Sequence, residues 1–208
     1  MVVLSGPSFA VEVARQLPTA VLAASSHARA TEFVQAEFRG PYFRLYGSDD
    51  VIGVEIGAAL KNIIAIAAGV VEGLGLGHNA LAAVITRGLA EVTRLARAVG
   101  GRRETLAGLS GLGDLVLTCT GHLSRNRHVG IELGRGRTLP DVLAGMHTVA
   151  EGVRTTGAAL ALGERHGIEL PITAQMAAVL DGRRSPAEAV EILMGRRQRP
   201  ERDLHHQS

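Results

Sequence analysis

A single lysine in an apolar segment is the first residue that could do chemistry. Lys61 is the only lysine in the chain, whose other permanent cations are all arginines. It lies beside Asn62 in a run of small and aliphatic residues at positions 55–69. A lysine ammonium partly removed from water can have its pKa lowered enough to exchange a proton near neutral pH, which an arginine cannot do. Lys61 is therefore a candidate acid or base. The alternative is a stray lysine whose head reaches solvent.

An aspartate between glycines is the candidate partner of this lysine. Asp114 follows Gly111 and Gly113, and it precedes a hydrophobic run that would draw it into the interior. A buried carboxylate needs a cationic partner, and pairing with Lys61 would orient the ammonium. A turn aspartate that accepts hydrogen bonds from nearby backbone amides explains the spacing equally well.

A short polar segment offers groups suited to anion binding. Ser124, Arg125 and Asn126 supply a hydroxyl, a guanidinium and an amide at what the pattern predicts to be a helix start, and Arg127 adds a second cation. Helix N-termini bind anions, and an arginine fork adds bidentate phosphate recognition. The pattern favours a small phosphorylated substrate. In the alternative interpretation Ser124 only caps the helix, and both arginines are solvated.

A glycine-rich segment formally matches the dinucleotide-binding pattern G-x-G-x-x-A. The matching residues are Gly75, Gly77 and Ala80. This pattern cradles a pyrophosphate where it joins a strand to a helix, whereas here it follows an apolar segment of helical period. We therefore predict a turn between two helices and not a cofactor loop.

Composition narrows the class of protein. Of the 208 residues 46% are hydrophobic, which is enough for a core. Aromatic residues make up only 3% and the arginines are scattered among acids, so nucleic-acid binding is not expected. Gly, Glu or Lys interrupts each long apolar stretch, so no membrane span is expected, and no signal peptide is visible. The histidines lack metal-ligand spacing, and the lone Cys119 cannot form an internal disulfide or a thiolate metal cluster, so we expect no metal site and a cytoplasmic location.

The first fifty residues carry strand and helix signals in alternation. Segments near Val2, Val21 and Leu45 are predicted strands, and residues 10–15 and 28–38 are predicted helices. Strands that alternate with helices indicate parallel α/β structure. Three strands are too few for a doubly wound sheet. We interpret residues 1–50 as the end of a nucleotide-binding domain whose front is absent.

From residue 51 onward the hydrophobic pattern has the helical period. The segment around Lys61 is predicted to be helical as far as about Gly69. A second helix at residues 80–99 has an apolar face, and Glu91 is placed with two arginines on the opposite, polar face. Thr138 and Ser185 each precede a proline and then an acid, which indicates two more helix starts. Residues 102–107, 152–166 and 172–180 are predicted helices, residues 108–126 a loop-rich stretch and residues 198–208 a frayed polar tail.

Four motifs occur together along the chain. They are Gly6-Pro7-Ser8-Phe9-Ala10, Lys61-Asn62, Gly111-Leu112-Gly113-Asp114-Leu115 followed by Thr118, and Ser124-Arg125-Asn126. In this combination the chain resembles the bacterial NAD(P)-dependent glycerol-3-phosphate dehydrogenase family, from the middle of its nucleotide-binding domain through its helical C-terminal domain. The resemblance implies a mainly α fold. A helical domain of the 6-phosphogluconate dehydrogenase C-terminal type is expected at residues 51–196, after the α/β remnant of a Rossmann domain at residues 1–50 and before a polar tail at residues 197–208.

The resemblance also implies roles for individual residues. The family transfers hydride between NAD or NADP and glycerone phosphate, giving sn-glycerol 3-phosphate for phospholipid synthesis. Lys61 matches its catalytic acid or base on the substrate carbonyl oxygen. The implied substrate-binding residues are Lys61, Asn62, Asp114, Thr118, Ser124, Arg125 and Asn126. The implied cofactor contacts are Gly6, Ser8, Ala10, Arg125, Val149 and Glu151.

The residue types and the resemblance agree on the chemistry, because hydride addition to a ketone leaves an alkoxide that needs a proton donor. The family's glycine fingerprint is absent from this chain, so we do not expect dehydrogenase activity from this chain alone.

We expect the protein to form a homodimer. Two alternatives are a non-catalytic helical dimerisation fragment, which leaves the lone lysine unexplained, and a related hydroxy-acid dehydrogenase, which should carry different anion-binding motifs.

Overall fold

The first fifty residues form a small sheet with two helices. The computed structural model describes residues 1–146, 150–198 and 200. Three strands, β1 (Val3–Ser5), β2 (Thr19–Ala24) and β3 (Phe43–Ser48), lie in the order β1-β2-β3. Two helices connect them, α1 (Ala10–Ala14) and α2 (Ala28–Glu37). The predicted alternation of strands and helices is confirmed.

The sheet is mixed, which corrects the expectation of parallel strands. β2 and β3 are parallel, and α2 is the crossover between them. β1 runs antiparallel to β2, with Val3 opposite Ala24. The physical reason lies in α1, which has five residues and buries none of them. A parallel connection needs a crossover, usually a helix that packs on the sheet, and α1 does not pack in this way.

A long apolar helix, α3 (Val51–Gly73), runs through the centre of the protein. It begins at residue 51, where the helical period was predicted to start, and it ends at Gly73, four residues beyond the predicted end at about Gly69. Asp50 caps it, because the Asp50 carboxylate accepts the N–H of Gly53 at 2.9 Å. By length and composition α3 could cross a membrane, but 56% of its most apolar window is buried in the protein. Such a composition is weak evidence for a span, because the core helix of a globular protein shares it.

The remaining residues are mainly helical. The further helices are α4 (Gly77–Ala98), α5 (Arg103–Leu106), α6 (Asp114–Thr120), α7 (Arg125–Gly134), α8 (Leu139–Ala144), α9 (Glu151–Arg165), α10 (Pro171–Leu180) and α11 (Pro186–Met194), with a π-helical turn at Leu109–Gly113 before α6. Thr138 and Ser185 cap α8 and α11 as predicted, and Ser185 forms a complete capping box with Glu188. The loop-rich prediction for residues 108–126 is wrong, because most of them are helical. The predicted tail lies largely outside the described residues.

The core surrounds α3. Ile63, Ile64 and Ile66 of α3 are fully buried together with Leu95 of α4 and Val129 of α7. Large aliphatic side chains therefore fill one side of α3. The side that faces α7 is built differently.

Glycines bring α3 and α7 into backbone contact. A β-carbon at Gly69 would lie 2.0 Å from the carbonyl oxygen of Arg127, and one at Gly130 would lie 2.0 Å from the carbonyl oxygen of Ile66. Gly134 likewise faces Val70. Positions 66 and 70 thus meet positions 130 and 134, so the two helices run parallel. The N-terminus of α7 consequently lies beside the middle of α3, where Lys61 is.

Glu91 of α4 is buried, and its predicted place on a polar, outward face is wrong. Its carboxylate accepts the N–H groups of Ile172 and Thr173 at 2.8 and 2.9 Å, and the Thr173 hydroxyl at 2.6 Å. These amides belong to the first turn of α10, where backbone N–H groups have no partner within the helix. Packing of α10 on α4 therefore requires an acceptor at this position. Burial raises the pKa of Glu91 above its usual value.

Candidate functional site

Lys61 and Asp114 form an ion pair between α3 and α6. Lys61 Nζ lies 2.5 Å from Asp114 Oδ2, and the two side chains are 20% and 5% exposed. Burial is the largest influence on Asp114 and raises the pKa of its carboxyl, whereas the Lys61 ammonium opposes this rise. The carboxylate orients an ammonium that still reaches solvent. Such a pair can present a proton to a bound substrate.

The π-helical turn sets the distance between these two residues. Ser110 precedes Asp114 by four residues, and Gly57 precedes Lys61 by four residues. A β-carbon at Gly57 would lie 3.0 Å from the Ser110 carbonyl oxygen. The backbones therefore approach closely one turn before the ion pair, which allows the short Lys61 to Asp114 contact. This role of Gly57 was not predicted from the sequence. A glycine four residues before a helix lysine is the signal that could have found it.

Thr118 supports Asp114 from within α6. The Thr118 hydroxyl lies 2.6 Å from the backbone carbonyl oxygen of Asp114 and 3.3 Å from its Oδ1. Both residues are buried. The hydroxyl adds to the forces that favour the ionised carboxylate. Thr118 therefore helps to hold Asp114 in place.

Asn126 links three helices at the start of α7. Its Oδ1 accepts the N–H of Gly152 at 2.9 Å, and its Nδ2 donates to Asn62 Oδ1 at 3.0 Å. Because a backbone N–H can only donate, the amide oxygen must face Gly152 and the nitrogen must face Asn62. Ser124 caps α7 by accepting the N–H of Arg127 at 3.2 Å. Asn126 is buried and holds α3, α7 and α9 together.

The two arginines of the polar segment have different partners. Arg125 is 45% exposed, and its Nη2 lies 2.6 Å from Oε1 of Glu151. Arg127 is only 10% exposed, and its Nη2 contacts both carboxylate oxygens of Glu72 at 2.6 and 2.7 Å. The alternative interpretation that Arg127 is solvated is therefore wrong. Close packing of α7 on α3 carries Arg127 inward, so Arg125 is the arginine left at the surface of the site.

Three of the six residues expected to contact the cofactor lie in the turn after β1 or at the start of α1. Gly6 has a positive φ of 145°, and a β-carbon there would lie 3.0 Å from Cα of Val21. The Ser8 hydroxyl donates to the Gly6 carbonyl oxygen at 2.9 Å, and Ala10 begins α1. The Gly6 N–H is hydrogen-bonded to the Asp114 carboxylate and acts to lower the pKa of that carboxyl. This turn therefore lies beside the ion pair. Glu151 begins α9, and the predicted contact Val149 lies outside the described residues.

Two connected groups of side chains result. The first group is Lys61, Asp114 and Thr118, which are linked through Asp114. The second group is Asn62, Asn126, Glu151 and Arg125. No group of three or more His, Cys, Asp or Glu side chains that could hold a metal occurs among the described residues. These two groups meet at the adjacent positions Lys61 and Asn62.

Comparison with known families shows to which of them the chain belongs. The profile described as NAD-dependent glycerol-3-phosphate dehydrogenase C-terminus matches residues 50–191, and the corresponding N-terminus profile matches residues 1–31. The chain belongs to the NAD-dependent glycerol-3-phosphate dehydrogenase family. The resemblance noted from the four motifs is thereby confirmed.

Relatives in this dehydrogenase family are similar over nearly the whole chain. The chain is 63% identical to a glycerol-3-phosphate dehydrogenase [NAD(P)+] of Acidobacterium capsulatum over 97% of its length, and 60% identical to that of Koribacter versatilis over 94%. It spans only 60% and 58% of those relatives. It therefore corresponds to a part of the relatives it matches.

Solved dehydrogenases confirm the mainly helical fold class. Glycerol-3-phosphate dehydrogenase from Coxiella burnetii superposes with a TM-score of 0.92 at 47% identity, covering 94% of this chain and 60% of that one. The yeast Saccharomyces cerevisiae enzyme superposes with a TM-score of 0.82 at 27% identity, covering 91% of this chain and 58% of that one.

The residues present fit the dehydrogenase cofactor only in part. The turn at Gly6, Ser8 and Ala10 offers close backbone approach beside Lys61. Gly75, in contrast, lies between α3 and α4, and Gly77 is the first residue of α4, so they do not form a strand-to-helix pyrophosphate loop. The prediction of a helix-to-helix turn there is confirmed. The turn that begins at Gly6 thus lies beside the ion pair of Lys61 and Asp114, whereas Gly75 and Gly77 do not follow a strand.

Proposed function

We propose that this chain supplies the substrate site and the proton-transfer group of an NAD(P)-dependent glycerol-3-phosphate dehydrogenase. The reaction would interconvert glycerone phosphate and sn-glycerol 3-phosphate for phospholipid synthesis. The observation that supports this most strongly is the contact of the only lysine, Lys61, with buried Asp114 at 2.5 Å in a chain of this family. Residues 1–50 would complete a Rossmann domain, residues 51–196 would form the substrate domain, and residues 197–208 would be a polar tail.

Lys61 is the proposed acid in the direction of ketone reduction. The nicotinamide cofactor supplies hydride to the substrate when it is bound. Negative charge then develops on the carbonyl oxygen, and the Lys61 ammonium donates a proton to it. Asp114 keeps the ammonium oriented, and Thr118 keeps Asp114 in place. In the reverse direction neutral Lys61 accepts the hydroxyl proton.

Arg125 is the proposed ligand of the substrate phosphate. Its guanidinium is half-exposed at the first residue of α7, where the helix dipole also favours an anion. Asn126 shares the site, but its amide also fixes Asn62 and Gly152. Ser124 shapes this helix start as its cap. The proposed cofactor contacts are Gly6, Ser8, Ala10, Arg125, Val149 and Glu151.

Turnover is the decisive measurement. The 208-residue chain should be assayed with glycerone phosphate and NADH or NADPH. A joined version, in which the chain follows a nucleotide-binding half that carries the glycine fingerprint, should be assayed in the same way. We expect turnover from the joined version only, and weak or undetectable NADH binding by the 208 residues in calorimetry, because the pyrophosphate fingerprint is missing. Tight stoichiometric NADH binding would contradict this account.

Two other functions predict different results. A non-catalytic dimerisation fragment predicts no turnover by the joined version. A related hydroxy-acid dehydrogenase predicts turnover with unphosphorylated hydroxy acids. We also propose a cytoplasmic homodimer, in keeping with a chain whose single cysteine, Cys119, is a free and buried thiol. Light scattering tests the dimer, and a monomer at micromolar concentration would contradict it.

A further inference from the structure

The carboxylate of Glu151 already lies on the groups proposed to bind phosphate. Its Oε1 is 2.6 Å from Arg125 Nη2, and its Oε2 is 3.5 Å from Asn126 Nδ2. A guanidinium and an amide nitrogen are donors that a phosphate would use. In the structure, an anion that belongs to the protein itself occupies these donors.

The backbone of Glu151 is fixed at the site, while its side chain is free to leave. The next residue, Gly152, donates its N–H to buried Asn126, and a β-carbon at Gly152 would lie only 2.8 Å from the Asn62 carbonyl oxygen. This contact holds the start of α9 against α3 and α7. The Glu151 side chain is 48% exposed, so it can rotate into water without opening the core.

The ion pair is weak enough to be displaced. Exposed pairs of this kind contribute little to stability, because water screens them. A phosphate carries more negative charge than a carboxylate and would repel Glu151 if both stayed at Arg125. Either anion can take the exposed face of the guanidinium, but the two exclude each other.

We propose that Glu151 is an internal competitor that occupies Arg125 in the free protein and must move aside for the substrate phosphate. This inference rests on the proposed function, since it assumes that Arg125 receives the phosphate. Glu151 thereby sets how tightly the site holds phosphorylated ligands. It also prevents the Arg125 guanidinium from binding anions that interact with it only weakly.

Anion affinity tests the proposal without cofactor. The 208-residue chain is titrated with inorganic phosphate and with glycerone phosphate by calorimetry, alongside Glu151→Gln. Removing the competing charge should tighten phosphate binding roughly three- to tenfold, the scale of an exposed ion pair and its charge repulsion. A merely structural role for Glu151 would leave affinity unchanged or weaken it.

Two further variants serve as controls. Glu132 lies on α7, as Arg125 does, and its carboxylate pairs with Arg135 and Arg137. Glu132→Gln removes this carboxylate and should leave phosphate affinity unchanged. Adding Arg125→Gln to Glu151→Gln should abolish the gain. Unchanged or weaker binding by Glu151→Gln, or no binding by either protein, overturns the proposal. If Glu151→Gln binds phosphate more tightly but the joined enzyme shows no turnover, only the proposed function is contradicted.

Discussion

Gly130 of α7 lies so close to Ile66 of α3 that a β-carbon at position 130 would meet the Ile66 carbonyl oxygen at 2.0 Å. No side chain other than hydrogen fits between these backbones. One turn earlier on each helix, Asn126 bonds to Asn62. The close approach at Gly130 therefore brings the N-terminal end of α7 to the residue next to Lys61.

Gly130→Ala should lower the stability of the protein. The added methyl group must push α7 away from α3, and overpacking of this kind costs about 1–3 kcal/mol. Gly157→Ala is the matched control, because a β-carbon there meets nothing within 4 Å. In α9 that change should stabilise the protein by up to about 1 kcal/mol through helix propensity. Urea unfolding measures both, and equal effects would show that the helix contact is not tight.

Lys61→Arg should abolish most of the turnover of the enzyme completed with its nucleotide-binding half. Arginine keeps the charge but cannot donate a proton usefully, so kcat should fall by roughly two to four orders of magnitude. Phosphate affinity in calorimetry should change little, because Lys61 contacts Asp114 and not the proposed phosphate site. Near-normal turnover would remove the assignment of Lys61 as the acid.

Arg125→Lys should weaken glycerone phosphate binding by about 1.5–3 kcal/mol, the scale of a hydrogen bond to a charged group, because a point charge cannot reproduce the fork. Arg127→Lys is the informative comparison. Arg127 holds Glu72 through two contacts and is nearly buried, so its replacement should lower the unfolding midpoint more than substrate affinity. Calorimetry and thermal unfolding separate the two effects, and the opposite pattern would exchange their roles.

Glu91→Ala should destabilise the contact between α4 and α10. It leaves the N–H groups of Ile172 and Thr173 and the Thr173 hydroxyl without their acceptor, at about 1–3 kcal/mol for an unsatisfied buried group. Glu91→Gln retains an acceptor oxygen and should cost less. Urea unfolding of the two variants gives the comparison, and no loss in Glu91→Ala would mean that α10 does not depend on this cap.

Cys119 should be inert in the folded protein. It is fully buried, and burial raises the pKa of its thiol from 9.0 to about 12. At pH 8 a maleimide should react at least about a hundredfold more slowly than in denaturant, because the thiolate is the reactive form.

The same shift has a defined sign for stability. The thiol contributes its full stability below pH 9.0, and this contribution is lost as pH rises toward 12, since the unfolded chain releases the proton first. Urea unfolding of wild type and Cys119→Ala between pH 8 and 11 should show this difference. A gap between the two proteins that does not change with pH would contradict the assigned shift.

Several features of the structure were predicted from sequence patterns that span only a few residues. Thr138 and Ser185 mark the starts of α8 and α11, because a capping hydroxyl acts on amides only a few residues away. The uniqueness of Lys61 and the glycines around Asp114 indicated an ion pair as one of two equally good interpretations, and the structure shows that pair. Such signals can be found in the chain because each depends on residue type or on neighbours within a turn.

Other features were decided only by tertiary packing. Periodicity placed Glu91 on a polar face, but it could not show that α10 would bring unsatisfied amides to that face. It likewise gave no sign that Glu72, 55 positions before Arg127, would draw that arginine inward. The direction of β1 followed from α1 failing to pack on the sheet. In each case the partner is remote in sequence, and a polar side chain is buried or exposed according to what packs against it.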